Sequence, residues 1–236
     1  MFTTLAVIAT IAVALAFGAW ARHMIAETRR LSAALTDAAW QLAHDPLTGL
    51  LNRAGLSAAH THLATTPQPI IVILIDLDGF KAVNDTHGHD TGDDLLVEIA
   101  DRIEELADLH GGVAARLAGD EYAVLLPAHG HEPARTAEGF VAGIAAPTRL
   151  FVDGDLTVIN VTASIGVALV DSTDGFTDTA LHRADIAMYH AKQQRGTHRI
   201  YRPEMRMPRN TERYGLRRRD QRPADNDGQP GAEAAQ

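Results

Sequence analysis

The stretch Val113-Ala114-Ala115-Arg116-Leu117-Ala118-Gly119-Asp120-Glu121-Tyr122-Ala123-Val124-Leu125-Leu126 is two apolar runs joined by a tight polar turn. It predicts a hairpin that displays Asp120 and Glu121 at its tip as paired negative charge on a rigid support. Upstream, Ile71-Val72-Ile73-Leu74-Ile75-Asp76-Leu77-Asp78 reads as a strand of the buried type that ends in two more acids. Acids at the ends of neighbouring strands are suited to holding Mg²⁺ against nucleotide phosphates.

Outward from the hairpin, Gly92 to about Leu109 has Leu95, Leu96, Ile99, Ile103 and Leu106 at helical spacing, with Glu98, Asp101, Arg102 and Glu105 on the other side. Residues 132–145 predict a weaker helix, 156–170 a strand, 180–194 a helix and 199–201 a short edge strand. Before the first strand, Asp45-Pro46 breaks one helix. Leu47–Arg53 leads into another that ends before Thr65. The inner β-α-β-β-α-β order predicts an α/β (α+β) fold, a ferredoxin-like or palm-type layer. Its central sheet is expected to be mostly antiparallel, with helices on one face. No internal repeat is present.

The 236 residues suffice for one ordinary domain with extensions, and 46% hydrophobic content supports a core. Absence of cysteine excludes disulfides and thiolate metal sites. A net charge of −9 argues against a general nucleic-acid binder. From Arg202 to Arg222 there are eight Arg and three acids. Residues 202–236 are therefore expected to form a disordered tail, and Arg217-Arg218-Arg219 within it to stay solvated or to touch anionic lipid.

Phe2 to Ala21 carries no charged residue, and Arg22, Arg29 and Arg30 follow. Residues 1–21 thus predict a transmembrane anchor, with the bulk of the chain cytoplasmic at a single-pass inner membrane position. A cleaved signal peptide fits less well, because a basic n-region is missing. Residues 22–44 follow as a helix. Met24, Thr28, Leu31, Leu35, Ala38 and Leu42 form a short 4-3-4-3-4 seam there, read either as a coiled coil or as one amphipathic helix lying on the domain or the membrane.

Among candidate chemical groups, Asp76-Leu77-Asp78-Gly79-Phe80-Lys81 ends a strand in a bend whose amides suit phosphate. Residues 84–94 form a polar loop before a helix N-terminus, where Asp93 either favours the helix dipole or accepts from a base edge. A carboxylate matches the N1–H and N2–H₂ donors of guanine and not an adenine edge. The pairs His60/His62 and His129/His131 lack supporting acids or cysteines, which makes a zinc site a minor reading.

The chain resembles the GGDEF domain, the diguanylate cyclase family, over residues 45–201. The resemblance rests on Asp45-Pro46-Leu47-Thr48-Gly49-Leu50-Leu51-Asn52-Arg53, Asp76-x-Asp78-x-Phe80-Lys81-x-x-Asn84-Asp85 and Gly88-His89-x-x-Gly92-Asp93. It continues through Arg116–Tyr122, Ser164-Ile165-Gly166-Val167-Ala168 and Ala184-Asp185-x-Ala187-Met188-Tyr189-x-Ala191-Lys192. It implies condensation of two GTP into cyclic di-GMP by a homodimer, for downstream receptors of that product. Asp76, the Leu77 carbonyl, Asp120 and Glu121 are implied to hold Mg²⁺, or Mn²⁺ in its place, with Asp120 assisting deprotonation of the attacking 3′-hydroxyl. Asn84 and Asp93 are implied to read guanine, with His89 nearby. The amides around Gly79, Phe80 and Lys81, together with Gly119 and Lys192, are implied to serve the triphosphate.

The chain departs from the family pattern at four places. Ala118 stands where the signature has its first Gly, a residue used where φ is positive or backbone approaches a ligand. Tyr122 replaces Phe and brings a hydroxyl that needs a partner. Leu109-His110-Gly111-Gly112 occupies the place of the Arg-x-x-Asp product-inhibition site, so feedback there is not expected. Arg195-Gly196-Thr197 replaces the usual Gly-Arg-Asn, with Arg195 the candidate phosphate-side Arg. Ala118 and the altered 192–197 segment also fit a catalytically inactive GTP-binding or interaction module, and a related ATP-using enzyme is a remote third reading.

Overall fold

The computed structural model describes the backbone of residues 2–207 and side-chain surroundings from residue 15 to 207. Most of the tail, 208–236 with its Arg217-Arg218-Arg219 cluster, therefore lies outside the described residues. The helix α1 runs without a break over Phe2–Ala43. Then come α2 (Arg53–Leu63), β1 (Pro69–Asp78), α3 (Phe80–His87), α4 (His89–Leu109) and the hairpin β2 (Val113–Ala118) and β3 (Glu121–Pro127). They are followed by α5 (Pro133–Ala145), β4 (Thr148–Val152), β5 (Asp155–Ile159), β6 (Thr162–Asp171), a π-helical turn (Phe176–Leu181), α6 (His182–Ala191) and β7 (Thr197–Ile200).

The main sheet has the order β2-β3-β1-β6-β7. Its β2–β3, β3–β1 and β1–β6 pairs are antiparallel, and only the β6–β7 edge is parallel. The mostly antiparallel sheet and the closing edge strand agree with the sequence reading. Helices on one face do not: both faces are covered. Ile71, Ile73, Ile75 and Leu77 pack with Leu95, Ile99, Ile103 and Phe140 of α4 and α5. Ile70, Val72 and Leu74 pack with Leu56 of α2 and with Ala184 and Met188 of α6. The physical reason lies in β1 itself, whose residues from Ile70 to Ile75 are all apolar and buried. An uninterrupted run of this kind has two apolar faces and needs a layer against each.

Gly166 permits the closest of these contacts. A Cβ there would lie 2.0 Å from the Ala184 carbonyl oxygen and 2.3 Å from the Met188 nitrogen, so α6 lies directly on the β6 backbone.

Three elements differ from the sequence reading. The expected strand 156–170 is β5 and β6, and β4 pairs with β5 as a separate hairpin. Its turn uses Asp153 (φ 53°) and Gly154 (φ 90°), the positive φ pair of a two-residue hairpin loop. Part of the expected loop between β1 and α4 is the helix α3. Finally, α4 begins at His89 rather than Gly92.

No helix among the described residues is long and apolar enough to cross a membrane. The anchor expected at 1–21 finds no support there, since side chains before residue 15 are outside the description. Farther along α1, the seam residues Met24, Leu31, Leu35 and Leu42 are exposed, with Leu42 at 75%.

Candidate active site

Antiparallel register brings the predicted acids together. Asp76 lies opposite Glu121 across β1 and β3, and the Leu77 N–H donates to the Asp120 carbonyl at 3.2 Å. The two acid-bearing segments are thus neighbours at one end of the sheet. Asp76 also receives a hydrogen bond from the Lys192 ammonium, Nζ to Oδ2 at 2.8 Å, in a partly buried ion pair.

The electrostatics follow from crowding of carboxylates in a half-buried corner. Burial pushes the Glu121 carboxyl up to about 7; Asp76, Asp120 and Asp185 add to the rise, and Lys192 opposes it. Asp76 is raised as well, by burial first, with Lys192 working against it and Asp120 and Asp78 with it. Among the described residues no three acid or imidazole side chains form a ready-made metal cage. The donor set nevertheless fits a hard divalent cation, because it is all oxygen, three carboxylates and the Leu77 carbonyl, and carries negative charge beyond what one ammonium neutralises.

Asp78 has a different task. Two residues on from Asp76, it shares a strand face with it. It accepts from the Thr162 and Ser164 hydroxyls at 2.7 Å each and from the Gly196 N–H at 2.8 Å. This carboxylate therefore ties β1 to β6 and to the loop after Lys192. Sequence reading counted Asp78 only as the second of two strand-end acids suited to Mg²⁺ and did not foresee this clamp, although its period-2 spacing from Asp76 was the available signal.

After β1 the chain turns through Gly79 (φ 79°, ψ 12°) into α3. Phe80 and Lys81 open that helix, so their amides belong to a helix N-terminus, a setting that favours phosphate. Asn84, later in α3, has its Oδ1 buried without a hydrogen-bond partner. That oxygen packs on Gly92 of α4, where a Cβ would come within 1.8 Å of it. Lys81, His89, Asp93 and Arg195 are exposed. No hydrogen bond or ion pair joins them to the acids among the described residues. Arg195 has φ 41°, followed by Gly196 at 58°. Left-handed backbone at Arg195 is where the family pattern places its Gly.

The hairpin turn is braced from behind. Asp45 accepts from the Thr48 N–H (2.9 Å) and hydroxyl (2.8 Å) and pairs with Arg116 at 2.9 Å. Burial raises its pKa, but these partners outweigh that and hold it below the usual carboxylate range. Arg116 Nε in turn donates to the Gly119 carbonyl at 2.8 Å. Asn52 joins the two first helices: its Nδ2 donates to the Leu42 and His44 carbonyls, and its Oδ1 caps the Ala54 and Gly55 N–H groups of α2. A charged Arg116 within an otherwise apolar strand was the sequence signal for this brace.

Ala118 and Tyr122 are both accommodated. Among described non-glycine residues, left-handed φ occurs only at Asp153 and Arg195, so Ala118 needs no glycine conformation. The positive φ of the turn belongs to Gly119, at 55°. Tyr122 is fully buried, and its hydroxyl donates to the Leu96 carbonyl of α4 at 2.9 Å. The phenol therefore latches the acid-bearing hairpin to the helix that carries Asp93. Elsewhere, His131 contacts His110 rather than His129, Nδ1 to Nδ1 at 3.2 Å.

Comparison with known proteins agrees with this site. The family described as diguanylate cyclase, GGDEF domain, matches residues 42–198. The chain is 41% identical over 170 residues to diguanylate cyclase TpbB of Pseudomonas aeruginosa, covering 69% of this chain and 38% of TpbB. It is 38% identical over 175 residues to an uncharacterised 19.3 kDa protein of Streptomyces ambofaciens, covering 73% and 86% respectively. The crystal structure of the coiled coil and GGDEF domain of DgcB from Caulobacter crescentus, in complex with c-di-GMP, superposes with TM-score 0.67 at 25% identity. That match covers 78% of this chain and 98% of the other. The chain spans only 20% and 38% of the length of the first two curated relatives. With the acids, the glycine turn and the Lys192 contact arranged on this shared fold, the chain belongs to the GGDEF family of diguanylate cyclases.

Proposed function

We propose that the protein condenses two GTP molecules into cyclic di-GMP with release of two pyrophosphates. The observation that carries this reading is the juxtaposition of Asp76 with Glu121 and of Leu77 with Asp120 at one sheet end. Each domain holds one nucleotide, so the reaction needs two domains face to face in a homodimer. Each 3′-oxygen bonds to the α-phosphorus of the partner nucleotide, its P–O bond to pyrophosphate breaks, and the hydroxyl proton passes to a carboxylate.

Asp76, the Leu77 carbonyl, Asp120 and Glu121 are the residues that would hold Mg²⁺, or Mn²⁺ in its place. When bound, the ion supplies charge neutralisation at the α-phosphate and the leaving pyrophosphate. Asp120 takes the proton from the attacking 3′-hydroxyl. The amides of Gly79, Phe80 and Lys81 and the turn at Gly119 receive phosphate oxygens, with Lys192 and Arg195 as cations. The orphaned Asn84 Oδ1 accepts from the guanine edge beside Asp93 and His89, which restores a bond that burial otherwise denies it.

The exposed Met24–Leu42 seam of α1 supports dimerisation through a coiled coil, which raises the local concentration of paired domains. The uncharged segment 2–21 and the arginines after it support anchoring at the cytoplasmic membrane with the domain in the cytoplasm. The product would then be read by separate cyclic di-GMP receptors.

Chromatographic product analysis tests the reading: the purified full chain with GTP and Mg²⁺ is expected to yield cyclic di-GMP and pyrophosphate, and ATP no analogous product. Asp120→Ala is expected to abolish turnover while the far-UV spectrum stays native. No cyclic dinucleotide at high protein concentration would refute catalysis and favour a GTP-binding module without turnover.

A further inference from the structure

Lys192 sits at a fixed point of the backbone and carries a long side chain. Its N–H donates to the Met188 carbonyl at 2.9 Å as α6 ends. Four residues later, Asp78 holds the Gly196 N–H, and the Thr162 and Ser164 hydroxyls hold Asp78. Both ends of the 192–196 turn are therefore clamped. The freedom left to Lys192 is that of its four-carbon side chain and three rotatable donors.

That side chain spends its charge on Asp76, at 2.8 Å, with the Lys192 side chain 28% and the Asp76 side chain 16% exposed. Asp76 lies opposite Glu121 and next to the segment that hydrogen-bonds Asp120, and among the described residues Lys192 is the cation paired with Asp76. A divalent ion entering alone must displace the ammonium and leave it unpaired in a partly desolvated site, which is costly. A metal–nucleotide complex entering the same site brings phosphate oxygens, an equally good partner for an ammonium.

We propose that Lys192 is a built-in competitor cation, which occupies Asp76 while nucleotide is absent and moves to the triphosphate when nucleotide and metal bind together. The inference rests on the assignment above of Asp76, Asp120 and Glu121 as metal ligands. Its consequence is linkage: nucleotide and metal each raise the other's affinity, and free divalent ion binds poorly.

The test is a Mn²⁺ titration followed by electron paramagnetic resonance on the full chain, with and without 3′-deoxy-GTP, which lacks the attacking hydroxyl. Lys192→Met is expected to bind free Mn²⁺ about tenfold more tightly than wild type, the equivalent of about 1.4 kcal/mol. The same variant is expected to bind 3′-deoxy-GTP several-fold more weakly. A residue with a merely structural role would not move the two affinities in opposite directions. Lys192→Arg, which keeps the charge, is expected to bind free Mn²⁺ as weakly as wild type. Lys192→Gln guards against misfolding, and it too must tighten free Mn²⁺ binding. Equal Mn²⁺ affinity in wild type, Lys192→Met and Lys192→Gln overturns the competitor role, while recruitment of Mn²⁺ by 3′-deoxy-GTP would leave the ligand assignment standing. Failure of 3′-deoxy-GTP to recruit Mn²⁺ to any of these proteins overturns the ligand assignment itself.

Discussion

Tyr122→Phe removes one oxygen atom from the centre of the protein and nothing else. The ring is fully buried, and its hydroxyl makes a 2.9 Å bond to the Leu96 carbonyl. Burial pushes the phenol pKa well above its ordinary value, so the group remains a neutral donor throughout the working pH range. Leu96 lies mid-helix in α4, so its carbonyl keeps an intrahelical partner when the phenol is gone. The cost is then one net hydrogen bond, about 1 kcal/mol, without the larger penalty of an orphaned buried group. For a domain of this size that corresponds to a fall in Tm of about 2–4 °C. Differential scanning calorimetry of the full chain reads it directly. Guanine affinity gives a second readout, because the latch joins the acid-bearing hairpin to the helix carrying Asp93. An unchanged or higher Tm would show that the hydroxyl contributes nothing net, and the latch would lose its physical basis.

Three further outcomes are expected. Gly92→Ala drives a methyl into Asn84 Oδ1, so KM for GTP should rise roughly tenfold to a hundredfold, the equivalent of about 1–3 kcal/mol from one lost contact; an unchanged KM would remove Asn84 from the base pocket. Ala118→Gly should leave turnover within about twofold and lower stability by about 0.5–1 kcal/mol, since the backbone there is not left-handed, whereas a tenfold gain in activity would mean that the methyl crowds the substrate. Burial, with Asp76 beside it, pushes the Glu121 carboxyl up to about 7 from its ordinary 4.5, so its stabilising contribution is complete below about 4.5 and is lost as pH rises through 7. In EDTA at pH 8, Glu121→Gln should therefore melt higher than wild type, by about 1–2 kcal/mol after allowance for solvent screening, and the gap should close near pH 5; equal melting at pH 8 would contradict the crowding of charge.

The hairpin, the central strand and the convergence of their acids were legible because each depends on local pattern. Apolar runs ending in acids specify strands with charged tips, and antiparallel pairing of such strands sets the tips side by side. The second helical layer was also implicit in the two-sided apolarity of Ile70–Ile75, a signal weaker than the element order that suggested one layer. The β4–β5 hairpin was hidden because Phe151, Leu156 and Val158 are apolar yet exposed, which makes the segment resemble the buried strand β6. The helix α3 was hidden by its polarity and length of eight residues. For the long-range bonds the sequence marked at most one partner, as with the lone charge of Arg116 in an apolar strand, and never the pairing. Nothing near Lys192 announces Asp76, 116 residues away, and nothing near Asp45 announces Arg116, 71 residues away.

The Asp45–Arg116–Gly119 brace gives the long first helix a mechanical use. Asn52 grips the Leu42 and His44 carbonyls at the end of that helix, and two hydrogen bonds from the Arg116 guanidinium join Asp45 to the acid-bearing turn. A joint of this kind has little slack. Hydrogen bonds of 2.8–3.1 Å link the end of the helix to Asn52 and the turn to Asp45, so the position of the acid-bearing turn depends on how that helix end is held.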